Sequence, residues 1–230
     1  MSVNDKEVIP TISDRLSNAV NILDRRAAIK ALKNFANYYR EDIILYSLKN
    51  ILKCFKRDQL DKEITKNVLQ CLLVLFIKNS SSKEDTSWLS NQSRFQNGKY
   101  LSPSVVLSQD VSIDQFSYLI ADELTQSDLE ITQLIINALE FNDFYISLYS
   151  LQLLQALIST RPQKAKEIIS SIPISIPNIA ANIDSDYDPI RNESILLLMA
   201  IVNNNYNLQK MVAFQDIFPK LFQIIDAESA

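Results

Sequence analysis

The chain contains an internal repeat. Four segments begin with an aspartate (Asp24, Asp61, Asp143 and Asp188) and continue into an apolar stretch. All four carry leucine eight residues after the aspartate, and large apolar or aromatic residues eleven and fourteen residues after it. Steps of three place these side chains on one helical face, so the repeat predicts four long helices, each with its aspartate as a candidate N-cap. The residues are Leu32, Leu69, Leu151 and Leu196 at the first position, Phe35, Leu72, Leu154 and Met199 at the second, and Tyr38, Leu75, Leu157 and Val202 at the third.

A second apolar position precedes each later aspartate by nine or ten residues, and Leu221 occupies the matching place in the last segment. Each unit is therefore expected to hold a long helix, a second helix, and a third helix that ends near the next aspartate. Units of this length with three helices are typical of armadillo and HEAT repeats. We predict an all-α, right-handed α-solenoid of armadillo-like repeats. The alternative is an ordinary helical bundle whose helices align by coincidence. The earlier members of this second set are Ile51, Leu134 and Ile179.

One stretch interrupts the repeat. The aspartates are 37, 82 and 45 residues apart, and the long middle spacing contains residues 78–112, which are polar, rich in serine and without helical periodicity. We expect this stretch to be a flexible insertion between the first and second helices of the second repeat. The whole chain is then one head region with repeats at about 24–58, 61–141, 143–186 and 188–226. A short leading helix around residues 9–22 would cover the first repeat.

Composition excludes several chemistries. With one glycine, the chain can hold neither a dinucleotide-binding fingerprint nor a P-loop. With no histidine and two cysteines, it lacks the ligands of a structural zinc site. The alternating Asp184, Asp186 and Asp188 lack the glycine and glutamate that a calcium loop of the EF-hand type needs. We therefore expect no catalytic residues, no cofactor and no metal, and we predict that the chain is not an enzyme.

Charge and hydropathy bear on partners and location. A net charge of −4 argues against nucleic-acid binding, which needs a basic stripe. One basic cluster, Arg25, Arg26, Lys30 and Lys33, is interpreted as the solvated face of an amphipathic helix. The N-terminus lacks the apolar region of a signal peptide, and no apolar run approaches the length of a membrane span. These features predict a cytoplasmic protein.

Two blocks of sequence resemble a known family. The stretch DRRAAIKALKNFANYYRED, which follows TISDRLSNAV, is similar to the start of the globular head of the general vesicular transport factors. The block PIRNESILLLMAIVNNNYNLQKMVAFQDIFPKLFQIID, residues 189–226, resembles that head more closely. The resemblance covers most of 10–77 and 113–226 and fails in 78–112, where family members carry a variable loop.

The resemblance implies a vesicle-tethering protein of ER-to-Golgi and intra-Golgi transport, which docks vesicles before SNARE-mediated fusion and has no catalytic activity. It also implies an early-secretory Rab GTPase, golgins and SNARE proteins as partners, a possible homodimer, and peripheral association with Golgi and ER-derived vesicle membranes. Family members continue into further repeats, a coiled coil and an acidic tail. This chain stops at Ala230 with an apolar last helix, so we expect a fragment or a truncated product with an uncapped end.

Five residues are candidates for partner binding. Arg191 and Asn192 open the most family-like helix; the structural alternative is that Arg191 pairs with a preceding aspartate and Asn192 bonds to the preceding turn. Lys210 is expected to be exposed and partner-facing. Tyr145 and Tyr149, four residues apart, are either core residues or the edge of an exposed groove.

The runner-up function is another armadillo-type adaptor, in nuclear transport or at the cytoskeleton. A nuclear-import receptor would show tryptophan and asparagine on successive third helices. The single tryptophan here lies in the insertion.

Overall fold

The computed structural model describes residues 5–76, 95–96, 99–100, 114–126 and 130–228, and within these ranges the chain is almost entirely helical. The first helices are α1 Asp5–Asn18, α2 Ile22–Ala36, α3 Arg40–Tyr46, α4 Leu48–Arg57 and α5 Lys62–Phe76. They are followed by α6 Gln115–Leu124 and α7 Glu130–Asn137, then α8 Phe144–Thr160, α9 Pro162–Ser171 and α10 Ser175–Ala181. The last three are α11 Asp188–Val202, α12 Tyr206–Ala213 and α13 Ile217–Glu228. Short 3-10 turns, Ala138–Glu140 and Asn182–Asp184, extend α7 and α10.

The long helices form the spine of the molecule. Helix α2 packs on α5, α5 on α8, and α8 on α11, so each long helix contacts the next one along the chain. Two shorter helices follow each long helix, and α1 covers α2, α3 and α4 at the first end. This one-directional stacking is that of a solenoid. The predicted all-α solenoid is confirmed, while the bounds of the four repeats stay a prediction.

Two short strands lie inside the predicted insertion. Phe95–Gln96 pairs antiparallel with Lys99–Tyr100. The rest of residues 78–112 lies outside the described residues, and so does the prediction that this stretch is flexible.

The leucine positions of the repeat form most of the core. Leu32, Leu69 and Leu151 are completely buried, as predicted. In α11 the prediction is wrong, because Leu196 is only half-buried and Met199 is 61% exposed. Helix α11 instead turns the next residues of its leucine run inward. Its core residues are Ile190, Leu197, Leu198 and Ile201.

In the first repeat the prediction for the third apolar position, fourteen residues after the aspartate, is wrong. Tyr38 is 81% exposed because α2 ends at Ala36, so its side chain is no longer on the helical face. The second apolar set behaves as expected: Ile51, Leu134 and Ile179 are buried, and Leu221 packs against the core from its edge.

Two of the four aspartates cap their helices. Asp143 accepts hydrogen bonds from the backbone N–H groups of the first turn of α8, and Asp61 accepts one in α5. The prediction is wrong for Asp24 and Asp188, which lie inside their helices. Asn21 caps α2 instead, and α11 starts without a side-chain cap.

Within the described part of the chain, no helix is both long enough and apolar enough to cross a bilayer.

A candidate protein-docking surface

The five predicted binding residues do not form one site. Arg191 donates from Nη1 to the carbonyl of Ser185 at 2.9 Å and pairs with Asp188, so its guanidinium is held by the turn before α11. This is the structural alternative for Arg191. Asn192 is half-buried, and no hydrogen bond from it to that turn occurs among the described residues. A partner-binding role for this pair stays a prediction.

Lys210 lies on a different surface. It is exposed on α12, and its ammonium stands 4.4 Å from the ring centre of Tyr206, which is itself largely exposed. A cation over an aromatic face is a stable local arrangement that leaves both groups accessible. Lys210 is therefore exposed, as expected, and a partner-binding role for it stays a prediction.

Tyr145 and Tyr149 lie together on α8. Their ring centres are 5.9 Å apart with an interplanar angle of 37°. Tyr145 is about half exposed, whereas Tyr149 is largely buried and offers only an edge. Phe144 packs edge-on against both Tyr145 and Tyr187, which holds the first turn of α8 in place. Tyr149 is thus a core residue and Tyr145 is exposed beside it, and a partner-binding role for the pair stays a prediction.

The two tyrosines form one end of a groove that crosses three of the long helices. Its volume is about 440 Å³. Helix α2 contributes two lysines, α5 a lysine, a glutamate, an asparagine and a glutamine, and α8 the tyrosine pair. We call this surface the lysine groove; its defining residues are Lys30, Lys33, Lys66, Gln70, Tyr145 and Tyr149.

The four residues of the basic cluster have two different roles: the arginines form ion pairs within the chain, and the lysines line the groove. Arg25 binds Asp58 through two hydrogen bonds, from Nε at 2.7 Å and from Nη2 at 2.6 Å, and is buried. Arg26 reaches Asp61, at the start of α5, at 2.5 Å. The interpretation of all four basic residues as one solvated face is therefore wrong. Arg25 joins α2 to the end of α4 in its own repeat, Arg26 joins α2 to the next repeat, and the two lysines remain for the groove.

The lysines of the groove carry unbalanced positive charge. In the described part of the chain, none of Lys30, Lys33 and Lys66 forms an ion pair. Glu63, which also lines the groove, pairs with Arg26 at 3.3 Å. Burial, followed by the neighbouring charges of Lys30 and Lys66, lowers the pKa of Lys33.

A second lysine surface provides a contrast. Lys49, Lys53 and Lys56 on α4 line a cavity of about 300 Å³ together with Glu123 and Glu130. Lys56 pairs with Glu130, so carboxylates of the same chain lie among these lysines. In the lysine groove the carboxylate among the lining residues, that of Glu63, pairs with Arg26 and not with a groove lysine.

The last helices carry an apolar surface. A cavity of about 240 Å³ between α11, α12 and α13 is lined by side chains such as Leu198, Val212 and Phe218. Phe222 and Ile225 of α13 are exposed beside it. The apolar face expected for the last helix is present.

Sequence reasoning identified the tyrosines but missed the lysines. The shared offsets of the repeat contained the signal. Lys30, Asn67 and Tyr149 all lie six residues after a repeat aspartate, and Lys33 and Gln70 lie nine after one. Because stacked repeats place equal offsets side by side, these residues meet on one surface.

The stacked units of one long and two shorter helices define an armadillo-like α-solenoid, a class of protein-binding scaffold. No protein-family model matches the chain. The chain is 45% identical over 223 residues to "Intracellular protein transport protein USO1" of Saccharomyces cerevisiae, which covers 96% of this chain and 12% of that protein. It is 26% identical over 224 residues to "General vesicular transport factor p115" of Homo sapiens, covering 97% of this chain and 21% of that protein.

A solved structure agrees with these relatives. The structure titled "Crystal structure of Uso1-2" superposes with a TM-score of 0.85 at 43% identity, covering 99% of this chain and 33% of the solved one. The chain is thus a homologue of the Uso1 and p115 general vesicular transport factors over nearly its full length, and it spans a small part of their length.

Proposed function

We propose that this chain is part of the head of a vesicle-tethering factor in ER-to-Golgi and intra-Golgi transport. It would dock vesicles through protein–protein contacts before SNARE-mediated fusion, without catalytic activity. The observation that carries the proposal is the match to the solved Uso1 structure, which covers 99% of the chain with a TM-score of 0.85 at 43% identity. The names of the two relatives described above, one in intracellular protein transport and one in vesicular transport, support the same role. They do not favour a nuclear-transport or cytoskeletal adaptor.

The mechanism we propose is surface recognition by a rigid scaffold. Ion pairs between neighbouring units support the rigidity: Arg26 binds Asp61, and Arg161 of the α8–α9 turn binds Asp122 of α6 through Nε at 2.9 Å and Nη2 at 2.6 Å. A scaffold that is already ordered loses little conformational entropy when a partner binds. The accessible faces of the helices are then free to provide specificity.

The partners we propose are an early-secretory Rab GTPase, golgins and SNARE proteins, together with a possible second copy of the chain. The location we propose is peripheral, on Golgi and ER-derived vesicle membranes. Among the five candidate residues, the exposure of Lys210 and Tyr145 supports a direct role in binding. The internal bonds of Arg191 support an indirect role, through the shape of the α11 turn.

The test is a binding assay with the immobilised chain and a purified early-secretory Rab, loaded with GTP or with GDP. We expect retention of the GTP form, and weaker retention by a Lys210→Ala, Tyr145→Ala variant. A matched control, Tyr46→Ala with Lys49→Ala, removes one exposed tyrosine and one exposed lysine from another surface. Equal retention of both nucleotide forms, or capture from cytosol of importins or actin-associated proteins only, would contradict the proposal.

A further inference from the structure

We propose that the lysine groove is a binding site for an extended acidic peptide segment of a partner protein. Nothing in the similarity to transport factors assigns a ligand to this groove. The inference goes beyond the tethering role and does not rest on it, because it concerns one surface and the chemistry that this surface accepts.

The first argument is charge. Three lysines converge on the groove, and none has a carboxylate partner within the described residues, in a chain whose net charge is −4. Lys30 and Lys33 are three residues apart and project from the same face of α2. Lys66 lies on the next long helix. Clustered like charges repel one another, and carboxylates bound between them would relieve that repulsion.

The second argument is the lowered pKa of Lys33, which accompanies its half-buried position in the groove. Burial and the charges of Lys30 and Lys66 lower this pKa, which means that the protein environment disfavours the charged ammonium. An anionic ligand would favour the charged form and raise the pKa. A carboxylate would therefore interact more strongly with this half-buried ammonium than with a fully hydrated lysine.

The third argument is the uneven chemistry along the groove. The lysines occupy the end formed by α2 and α5, and the tyrosines the end formed by α8. The ring of Tyr145 also lies 5.8 Å from the ammonium of Lys66, so the two ends are continuous. The groove therefore fits a ligand that is acidic at one end and aromatic or aliphatic at the other.

The dimensions favour an extended chain. Packed helices lie roughly 8–10 Å apart, so crossing three of them takes about 20 Å. An extended chain rises about 3.3 Å per residue and covers this distance with about six residues. A carboxylate over α5 and an apolar side chain over α8 would then be about three residues apart. A small anion could not contact both lysine helices and the tyrosines together.

The groove does not have the features of a nucleic-acid site. A nucleic-acid footprint needs a longer basic stripe, and Arg25 and Arg26, the nearest further basic residues on α2, are already bound to Asp58 and Asp61. We therefore assign the groove to an acidic peptide and treat RNA and anionic lipid as competing outcomes of the test.

The test uses the full chain and two fluorescein-labelled peptides of about eight residues. Each has three glutamates and one phenylalanine three residues from the nearest glutamate, and the order is reversed between the two. Fluorescence anisotropy measures binding at low and at high salt. Peptides with glutamine in place of glutamate, a short RNA and phosphatidylserine vesicles are the comparison ligands.

Two matched variants separate this groove from general charge. Lys30→Gln, Lys33→Gln and Lys66→Gln together remove the groove lysines, and Lys49→Gln, Lys53→Gln and Lys56→Gln remove the same charge from α4. We expect one peptide order to bind and the groove variant to weaken it about tenfold or more, with little change in the α4 variant. Circular dichroism checks that both variants are folded.

A third variant, Tyr145→Ala, should weaken binding of the acidic peptide but not alter its salt dependence, because it removes the ring and leaves the lysines. Binding should also raise the pKa of Lys33, measured by NMR of its side chain. The proposal is overturned if neither acidic peptide binds, if both lysine variants lose binding equally, or if only RNA or vesicles bind through the groove lysines.

Discussion

The contacts of Arg40 predict a large effect from a single truncation. Arg40, at the start of α3, donates to Asp114 from Nη1 at 2.7 Å and from Nη2 at 3.0 Å. Its Nε donates at 2.6 Å to the carbonyl of Leu75, in the last turn of α5, and Nη2 also reaches the hydroxyl of Ser117 at 3.2 Å. One guanidinium thus joins the end of α5 to the start of α6, on either side of residues 77–113. Arg40→Ala should loosen that junction.

The loss of unfolding free energy expected for Arg40→Ala follows from the burial of the pair. The Arg40 and Asp114 side chains are only 12% and 17% exposed. Removing one partner of a buried pair costs about 3–5 kcal/mol, because the remaining charge is left without compensation. The residual exposure places Arg40→Ala near the low end, at about 3 kcal/mol. For a chain of this size the melting temperature should fall by about 6–12 °C.

The assay is urea unfolding followed by circular dichroism, with Arg15→Ala as control. Arg15 pairs with Asp24 at 2.5 Å, but the side chains are 59% and 43% exposed, and exposed pairs contribute about 0–1 kcal/mol. Removing both partners, as Arg40→Ala with Asp114→Ala, should cost less than the sum of the single changes. If Arg40→Ala costs no more than Arg15→Ala, the reasoning about this junction is wrong.

The pH dependence of the unfolding free energy is an independent test of the Arg40–Asp114 pair. Burial by itself would raise the pKa of Asp114, but hydrogen bonds from Arg40 and Ser117 outweigh it and hold the pKa well below the ordinary 3.8. A carboxyl with a lowered pKa in the folded state contributes stability that is present above about pH 4 and lost as the pH falls further. The difference in unfolding free energy between the native chain and Arg40→Ala should therefore shrink below pH 4. A difference that stays constant down to pH 2 would contradict this.

Three further predictions concern other side chains. Burial raises the pKa of Cys54 to about 11 and of Cys71 to about 12, so at pH 8 both thiols should react with Ellman's reagent only as fast as the chain unfolds; rapid labelling of the native chain would refute this. Glu193 is fully buried between α11 and α8, where two glutamine amides donate to its carboxylate at 3.2 and 2.7 Å. Glu193→Ala should therefore lower the unfolding free energy by about 2–4 kcal/mol, and a loss below about 0.5 kcal/mol would contradict the reasoning. Asp143→Ala removes a helix cap and should cost about 1 kcal/mol in urea unfolding, whereas Asp24→Ala, which caps nothing, should cost clearly less; equal losses would refute the difference.

The repeat predicted the stacking of the long helices because a leucine at one offset must be buried in each unit. Leu32, Leu69 and Leu151 meet that requirement. In α11 three consecutive leucines, residues 196–198, offer the core more than one face, so periodicity alone could not decide which of them turns inward. Packing against α8 decides it, and that contact spans about forty residues of sequence.

The candidate site was harder to predict, because its parts are far apart in the chain. Lys30 and Tyr149 are separated by more than a hundred residues and meet only because α2, α5 and α8 stack in order. The ion-pair partners of Arg25 and Arg26 were equally hard to predict from the sequence, because Asp58 and Asp61 lie more than thirty residues away, in the turn before the next long helix. Without these pairs, four neighbouring basic residues look alike.

The division between arginine and lysine has a physical reason. Arg25, Arg40 and Arg161 each present a planar fork that binds one aspartate through two hydrogen bonds, which suits a junction between helices. Lysine offers a single mobile ammonium, which fixes no geometry and can follow a ligand. At these three junctions arginine binds the aspartate, whereas the groove lysines have no carboxylate partner among the described residues. Replacing Lys30 and Lys33 with arginine would therefore conserve the charge of the groove. Peptide binding by that variant would show how much of the affinity comes from charge and how much from the mobility of the lysine side chains.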